Sequence, residues 1–167
     1  MRYPNLYAVV FGVAEPGEES RRIADALAEG KMPPVGTPYV AYFETRALVM
    51  GGRADAALAN VRRIWGGMLD RGATTFWEGW SPEKQGDAVY EFYDRPFANS
   101  LCHAWSSSPA FFFARDLAGI RPTSDGWATY EVKPLKEAAG MKFTVPTPKG
   151  ALEVAVNGEG KATVRER

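Results

Sequence analysis

Apolar positions recur at helical spacing from Pro4 to Arg71 and change to alternation beyond Pro122. Leu6, Val9, Val10 and Val13 fall on one side of a predicted helix over residues 4–13. Pro16-Gly17-Glu18-Glu19 opens a second helix, with its acids at the positive end of the dipole and Ile23, Ala24 and Leu27 facing inward. Gly30 stops it, and residues 31–36 read as a loop. Thr37-Pro38 starts a third helix, with threonine able to cap and proline suited to the first turn. Gly51-Gly52 ends that helix. Ala54, Leu58, Val61, Trp65, Met68 and Leu69 then mark a fourth over Arg53 to Arg71. The pattern predicts two helical hairpins.

A polar loop, Ser81 to Asp87, and a tyrosine-rich stretch through Tyr93 follow. A fifth helical region is predicted from Ala98 to Ala118, irregular at Pro109 and ended by Gly119. Alternation then predicts strands over residues 127–132, 141–145, 151–156 and 162–164, with Pro-Lys-Gly and Asn-Gly at the turns between them. The class is α+β, about five helices and then a small antiparallel β domain, divided into residues 1–121 and 122–167.

Composition narrows the function classes. Lysine plus arginine (20) equal aspartate plus glutamate (20), so no net field draws in nucleic acid or an anionic membrane. The single cysteine excludes an internal disulfide framework, and one cysteine with one histidine excludes the usual zinc clusters. No cofactor is implied. No apolar run is long enough to span a bilayer, and the N-terminus lacks a signal-peptide pattern.

The chemistry concentrates in two stretches. Phe76-Trp77-Glu78-Gly79-Trp80 puts a carboxylate between two indoles, where apolar walls disfavour its charge. Asn99 to Trp105 holds His103, the single histidine of the chain. Trp77 and Trp80 can be sugar platforms or a lid over the core, whereas Trp65 on its helical stripe reads as core. Tyr90, Phe92, Tyr93 and Phe97 read as packing, and Cys102 as a small buried apolar residue. Ser106-Ser107-Ser108 lacks the elbow of a serine hydrolase, and Gly158-Glu159-Gly160-Lys161 lacks the spacing of a phosphate loop.

Read in order, Gly72-Ala73-Thr74-Thr75 leading to Trp77-Glu78, then Asn99-Ser100-Leu101-Cys102-His103-Ala104-Trp105, then Leu117 to Pro122, resemble the C-terminal part of bacterial α-L-rhamnosidases, glycoside hydrolase family 78. Thr37-Pro38-Tyr39 and the segment Thr144 to Gly150 fit the same order. The resemblance implies a partial toroid of helical hairpins followed by a β-sandwich-like domain. It implies that Glu78 is the general base that activates water for inversion. It also implies that His103 contacts rhamnose and that Trp77, Trp80 and Trp105 form aromatic walls. The base would need hydrogen-bond donors to stay ionised between indoles, and the sequence does not identify them.

A complete toroid needs about a dozen helices, and the family's general acid belongs to an earlier segment that no stretch here matches. Glu15, Glu18 and Glu19 read as helix-start charges, and Glu44 lies on a helix facing an unspecified direction. The expected partners are a rhamnose-containing carbohydrate and either the N-terminal half of the barrel or a second copy of the chain. The alternatives are a non-catalytic remnant, a weak carbohydrate-binding module, or a six-hairpin glycosidase for another sugar.

Overall fold

The computed structural model describes residues 2–32 and 35–167, so Pro33 and Pro34 of the expected loop lie outside the described residues. The chain forms two compact units, residues 1–109 and 110–167. No described helix is long and apolar enough to cross a membrane.

The first unit is helical. Helix α1 (Arg2–Val10), α2 (Glu18–Ala28), α3 (Pro38–Met50) and α4 (Ala54–Val61) follow the predicted order. A π-helical turn, Arg62–Gly66, continues α4 into the short α5 (Gly67–Asp70). Pro38 sits in the first turn of α3, where a missing N–H costs nothing, although the Thr37 side chain makes no capping bond. The inner faces pack Leu6, Val9, Ala24, Leu27, Leu48, Leu58 and Met68 into one core. Two predicted core positions are corrected. Val13 follows the end of α1 and is 78% exposed, and Leu69 in the closing turn of α5 is 68% exposed.

Polar groups are also buried in this core. The Arg2 guanidinium lies against the Glu44 carboxylate, with Nε donating to Oε2 at 3.3 Å. Glu44, whose direction the sequence left open, therefore points inward and neutralises a buried cation. Trp65, on the π-helical turn, donates its indole N–H to the Ser106 carbonyl at 2.7 Å. That bond ties the helical scaffold to the segment just after His103.

The predicted fifth helix is shorter than expected. Residues 98–103 are not helical, a 3₁₀ turn spans Ala104–Ser106, and α-helix begins only at α6 (Ser108–Phe111), continuing as a π-helical turn, Phe112–Leu117. Pro109 lies in the first turn, so it starts this helix rather than interrupting it. Upstream, the backbone groups of residues 99–103 are engaged by another segment, as described below.

In the second unit, Gly119 ends the helical turn with φ of +64°. A Cβ there would lie 1.9 Å from the Lys133 carbonyl oxygen, so only glycine fits. Strands β1 (Ile120–Pro122) and β2 (Tyr130–Val132) form a two-stranded antiparallel sheet. The alternation over residues 127–132 predicts strand from Trp127, but Trp127 instead closes a 3₁₀ turn. Strands β3 (Lys142–Thr147), β4 (Gly150–Val156) and β5 (Ala162–Glu166) form an antiparallel meander, with Val154 opposite Phe143 on one side and Val164 on the other. Leu152, Val154 and Val156 alternate inward along β4, as the period-two pattern requires.

The buried ion pair gives a test. Glu44→Ala leaves the Arg2 charge buried without its carboxylate and should cost about 3–5 kcal/mol in urea unfolding. Replacing Arg2 and Glu44 together by apolar residues should cost much less. Equal losses in the two variants would show that the pair does not act as a unit.

Candidate active site

Two extended segments, residues 76–79 and 99–103, run antiparallel in the first unit. The Glu78 N–H donates to the Ser100 carbonyl at 2.8 Å, and the His103 N–H donates to the Phe76 carbonyl at 2.8 Å. Between those two bonds the second segment carries one more residue than the first, so the ladder is bulged. Leu101 and Cys102 occupy the bulge and are exposed, which corrects the expectation of a buried Cys102. The Thr75 hydroxyl donates to the Leu101 carbonyl and holds the bulge from the other side.

Asn99 completes the pairing through its side chain. Its Oδ1 accepts the Gly79 N–H at 2.9 Å, and its Nδ2 donates to the Gly79 carbonyl and to the Val89 carbonyl, each at 3.0 Å. An amide side chain is suited to this, because it offers a donor and an acceptor side by side. Gly79 has no room for a side chain, since a Cβ would come within 2.5 Å of the Phe92 ring.

This pairing fixes the Glu78 carboxylate, which is 7% exposed. Oε2 accepts the Ser100 N–H at 3.3 Å and lies 3.7 Å from His103 Nδ1. Oε1 accepts the Tyr93 hydroxyl at 3.3 Å. These are donors that the sequence did not identify. They stand 22 and 15 residues from Glu78, and no local pattern signals them. Burial of its hydroxyl end, then the Glu78 charge and the hydrogen bond to it, push the Tyr93 phenol up from its ordinary value. Tyr93 and Phe97 keep ring contacts within the predicted packing cluster, Tyr93 edge-on to Phe92 at 4.3 Å and Phe97 stacked on Tyr90 at 6.3 Å, but at 69% and 71% exposure they pack at the surface rather than in the core.

The aromatic residues divide into two groups. The His103 ring lies 4.4 Å from Trp105, and Trp105 lies 5.4 Å from Tyr39 of α3. Trp105 and Tyr39 are 39% and 45% exposed, so this row leads from the carboxylate to an open aromatic surface. Trp77 is buried and packs at 6.0 Å from Tyr90. Trp80 presses on Gly67, where a Cβ would meet its ring at 2.2 Å, and the Arg71 guanidinium lies 5.6 Å from its ring. The structure thus brings Glu78, His103 and Trp105 together and holds Trp77 and Trp80 in packing positions. Among the described residues, no group of three or more His, Cys, Asp or Glu is placed to hold a metal ion.

Comparison with known proteins now bears on this arrangement. Residues 7–117 match the bacterial α-L-rhamnosidase six-hairpin glycosidase domain. The chain belongs to this rhamnosidase family. A GH78 family rhamnosidase of Bacillus sp. GL1 is 30% identical with a TM-score of 0.74, over 98% of this chain and 17% of that one. A rhamnosidase from Klebsiella oxytoca, solved with rhamnose bound, is 36% identical with a TM-score of 0.54, over 65% of this chain and 21% of its own. The chain therefore spans about a fifth of the length of these solved relatives. No curated protein matches. The fold is that of part of a six-hairpin glycoside hydrolase, helices followed by small antiparallel sheets, as the resemblance implied.

The Asn99 clamp is testable by itself. Asn99→Ala leaves the Gly79 N–H and carbonyl unpaired in a buried place, at about 1–3 kcal/mol for each unsatisfied group. Amide exchange at Gly79 and Glu78 should accelerate by at least tenfold while exchange in α2 and α3 stays slow. Unchanged exchange at Gly79 would mean that Asn99 does not hold the segment.

Proposed function

We propose that this chain supplies the general-base part of an inverting α-L-rhamnosidase site. The observation that carries the reading is the Glu78 carboxylate, buried and held by donors on both oxygens beside His103. The two donors hold the carboxylate in place, and a positioned carboxylate is a suitable general base for water. In this mechanism water is deprotonated by Glu78 as it attacks the anomeric carbon, on the face opposite the departing oxygen. An inverting site keeps its two carboxyl groups about 6.5–9.5 Å apart so that this water fits. The second carboxyl group, the proton donor to the leaving oxygen, comes from parts of the barrel other than those described.

His103 and Trp105 are the sugar contacts in this reading. The imidazole meets a hydroxyl of the rhamnose, and the exposed indole face receives its apolar edge. Trp77 and Trp80 support the carboxylate segment from behind, each through packing rather than through the sugar. Family membership supports the rhamnoside as substrate, and the rhamnose in the Klebsiella relative is consistent with it. A purely carbohydrate-binding module could use the Trp105–Tyr39 surface, but it would have no use for a buried carboxylate held by two donors.

The test is hydrolysis of an aryl α-L-rhamnoside by the chain combined with a complementing N-terminal barrel segment. Glu78→Gln should lower kcat by about a hundred- to ten-thousand-fold while the circular dichroism spectrum is kept. His103→Ala should chiefly raise KM. Turnover in Glu78→Gln equal to the parent would remove Glu78 from the chemistry.

A further inference from the structure

The hairpin that carries Tyr93 is built against local preference. Phe92 and Arg95 exchange both backbone hydrogen bonds, at 3.2 and 3.0 Å, which leaves Tyr93 and Asp94 as a two-residue turn. Both have positive φ, 51° and 56°. That is the pattern of a type I′ turn, in which Asn-Gly is favoured and a tyrosine is out of place. Holding a bulky non-glycine residue in the left-handed region is strained. The structure holds it there from both sides. The Phe92 ring fills the space above Gly79, and Asn99 bonds both Val89 and Gly79.

Core burial does not account for the strain, since Tyr93 stays 69% exposed, with its ring edge-on to Phe92 at 4.3 Å. Its polar end is what the turn delivers, with the hydroxyl donating to Glu78 Oε1 at 3.3 Å. We propose that Tyr93 is a positioning residue for Glu78, its hydroxyl fixing one carboxylate oxygen while the Ser100 N–H fixes the other. With both oxygens held, the carboxylate cannot rotate about its terminal bond and presents one orientation to the attacking water. A reacting group held in place avoids the loss that follows from misplacement. The inference rests on the reading of Glu78 as the base.

Two variants separate positioning from packing. Asparagine suits a left-handed turn, so Tyr93→Asn should melt at the parent temperature or above. In the complemented enzyme, Tyr93→Asn and Tyr93→Phe should each lower kcat about tenfold and leave KM within about twofold. In a Glu78→Gln background, Tyr93→Phe should cause no further loss, because the two residues act as a unit. An unchanged kcat in Tyr93→Phe, or the same fractional loss with and without Glu78, overturns the proposal. So does a Tyr93→Asn protein that melts well below the parent, which would make Tyr93 a packing residue. Failure of the base reading has a different signature, namely parental turnover in Glu78→Gln.

The contact can also be read in the chain alone. Besides desolvation, which is the larger cause, the Glu78 charge and its hydrogen bond raise the Tyr93 phenol above its ordinary value. With isotope-labelled tyrosine, and Tyr93→Phe to assign the signal, the phenol should titrate at lower pH in Glu78→Gln than in the parent. An unmoved midpoint overturns the contact and the proposal with it.

Discussion

A single asparagine side chain closes the backbone of Gly79, and the geometry of the carboxylate next to it depends on that closure. Residues 77–79 are buried without a regular strand partner, so their N–H and carbonyl groups must be met individually. Each one left unmet in a buried place costs about 1–3 kcal/mol. Asn99 meets two of them at once and spends its remaining donor on Val89. The next residue, Ser100, then presents its carbonyl to the Glu78 N–H and its own N–H to the Glu78 side chain. A buried carboxyl group is accommodated here because the segment that buries it also supplies a donor.

The scaffold and the site use different physics. Helices α1 to α4 are held by apolar faces, by the buried Arg2–Glu44 pair and by glycines that let elements approach closely. The site segments are loops, anchored to that scaffold by the bond from the Trp65 indole to Ser106. Loops on a rigid support are where reactive groups are commonly carried, since they can take strained conformations that helices cannot. The left-handed pair Tyr93 and Asp94 is such a case.

Periodicity identified four helices and most of the strands because their burial is regular. Ile23, Ala24, Leu27, Leu58, Val61, Trp65 and Met68 lie where the helical pattern put them. Misreadings occurred where long-range bonds override the local pattern. Residues 98–103 carry a plausible helical spacing, yet their backbone groups bond to Phe76 and Glu78, and the helix starts only at Ser108. Strand β1 contains a proline and is only three residues long, too short for alternation to show. At the site, Glu78 and His103 were legible from motif order, and the structure brings them within 3.7 Å of each other. The contact of the Tyr93 hydroxyl with Glu78 was not legible, because it depends on a turn type that the sequence does not favour.

In the proposed mechanism Glu78 acts only by removing a proton from water. Small anions that need no deprotonation bypass such a group. The decisive measurement is product analysis by nuclear magnetic resonance for Glu78→Ala, complemented with an N-terminal barrel segment and given an activated aryl α-L-rhamnoside with and without azide. Hydrolysis should be negligible without azide, and the β-L-rhamnosyl azide should form with it, the anion attacking the face that water would use. Continued hydrolysis without azide, or an azide adduct of α configuration, would contradict the mechanism.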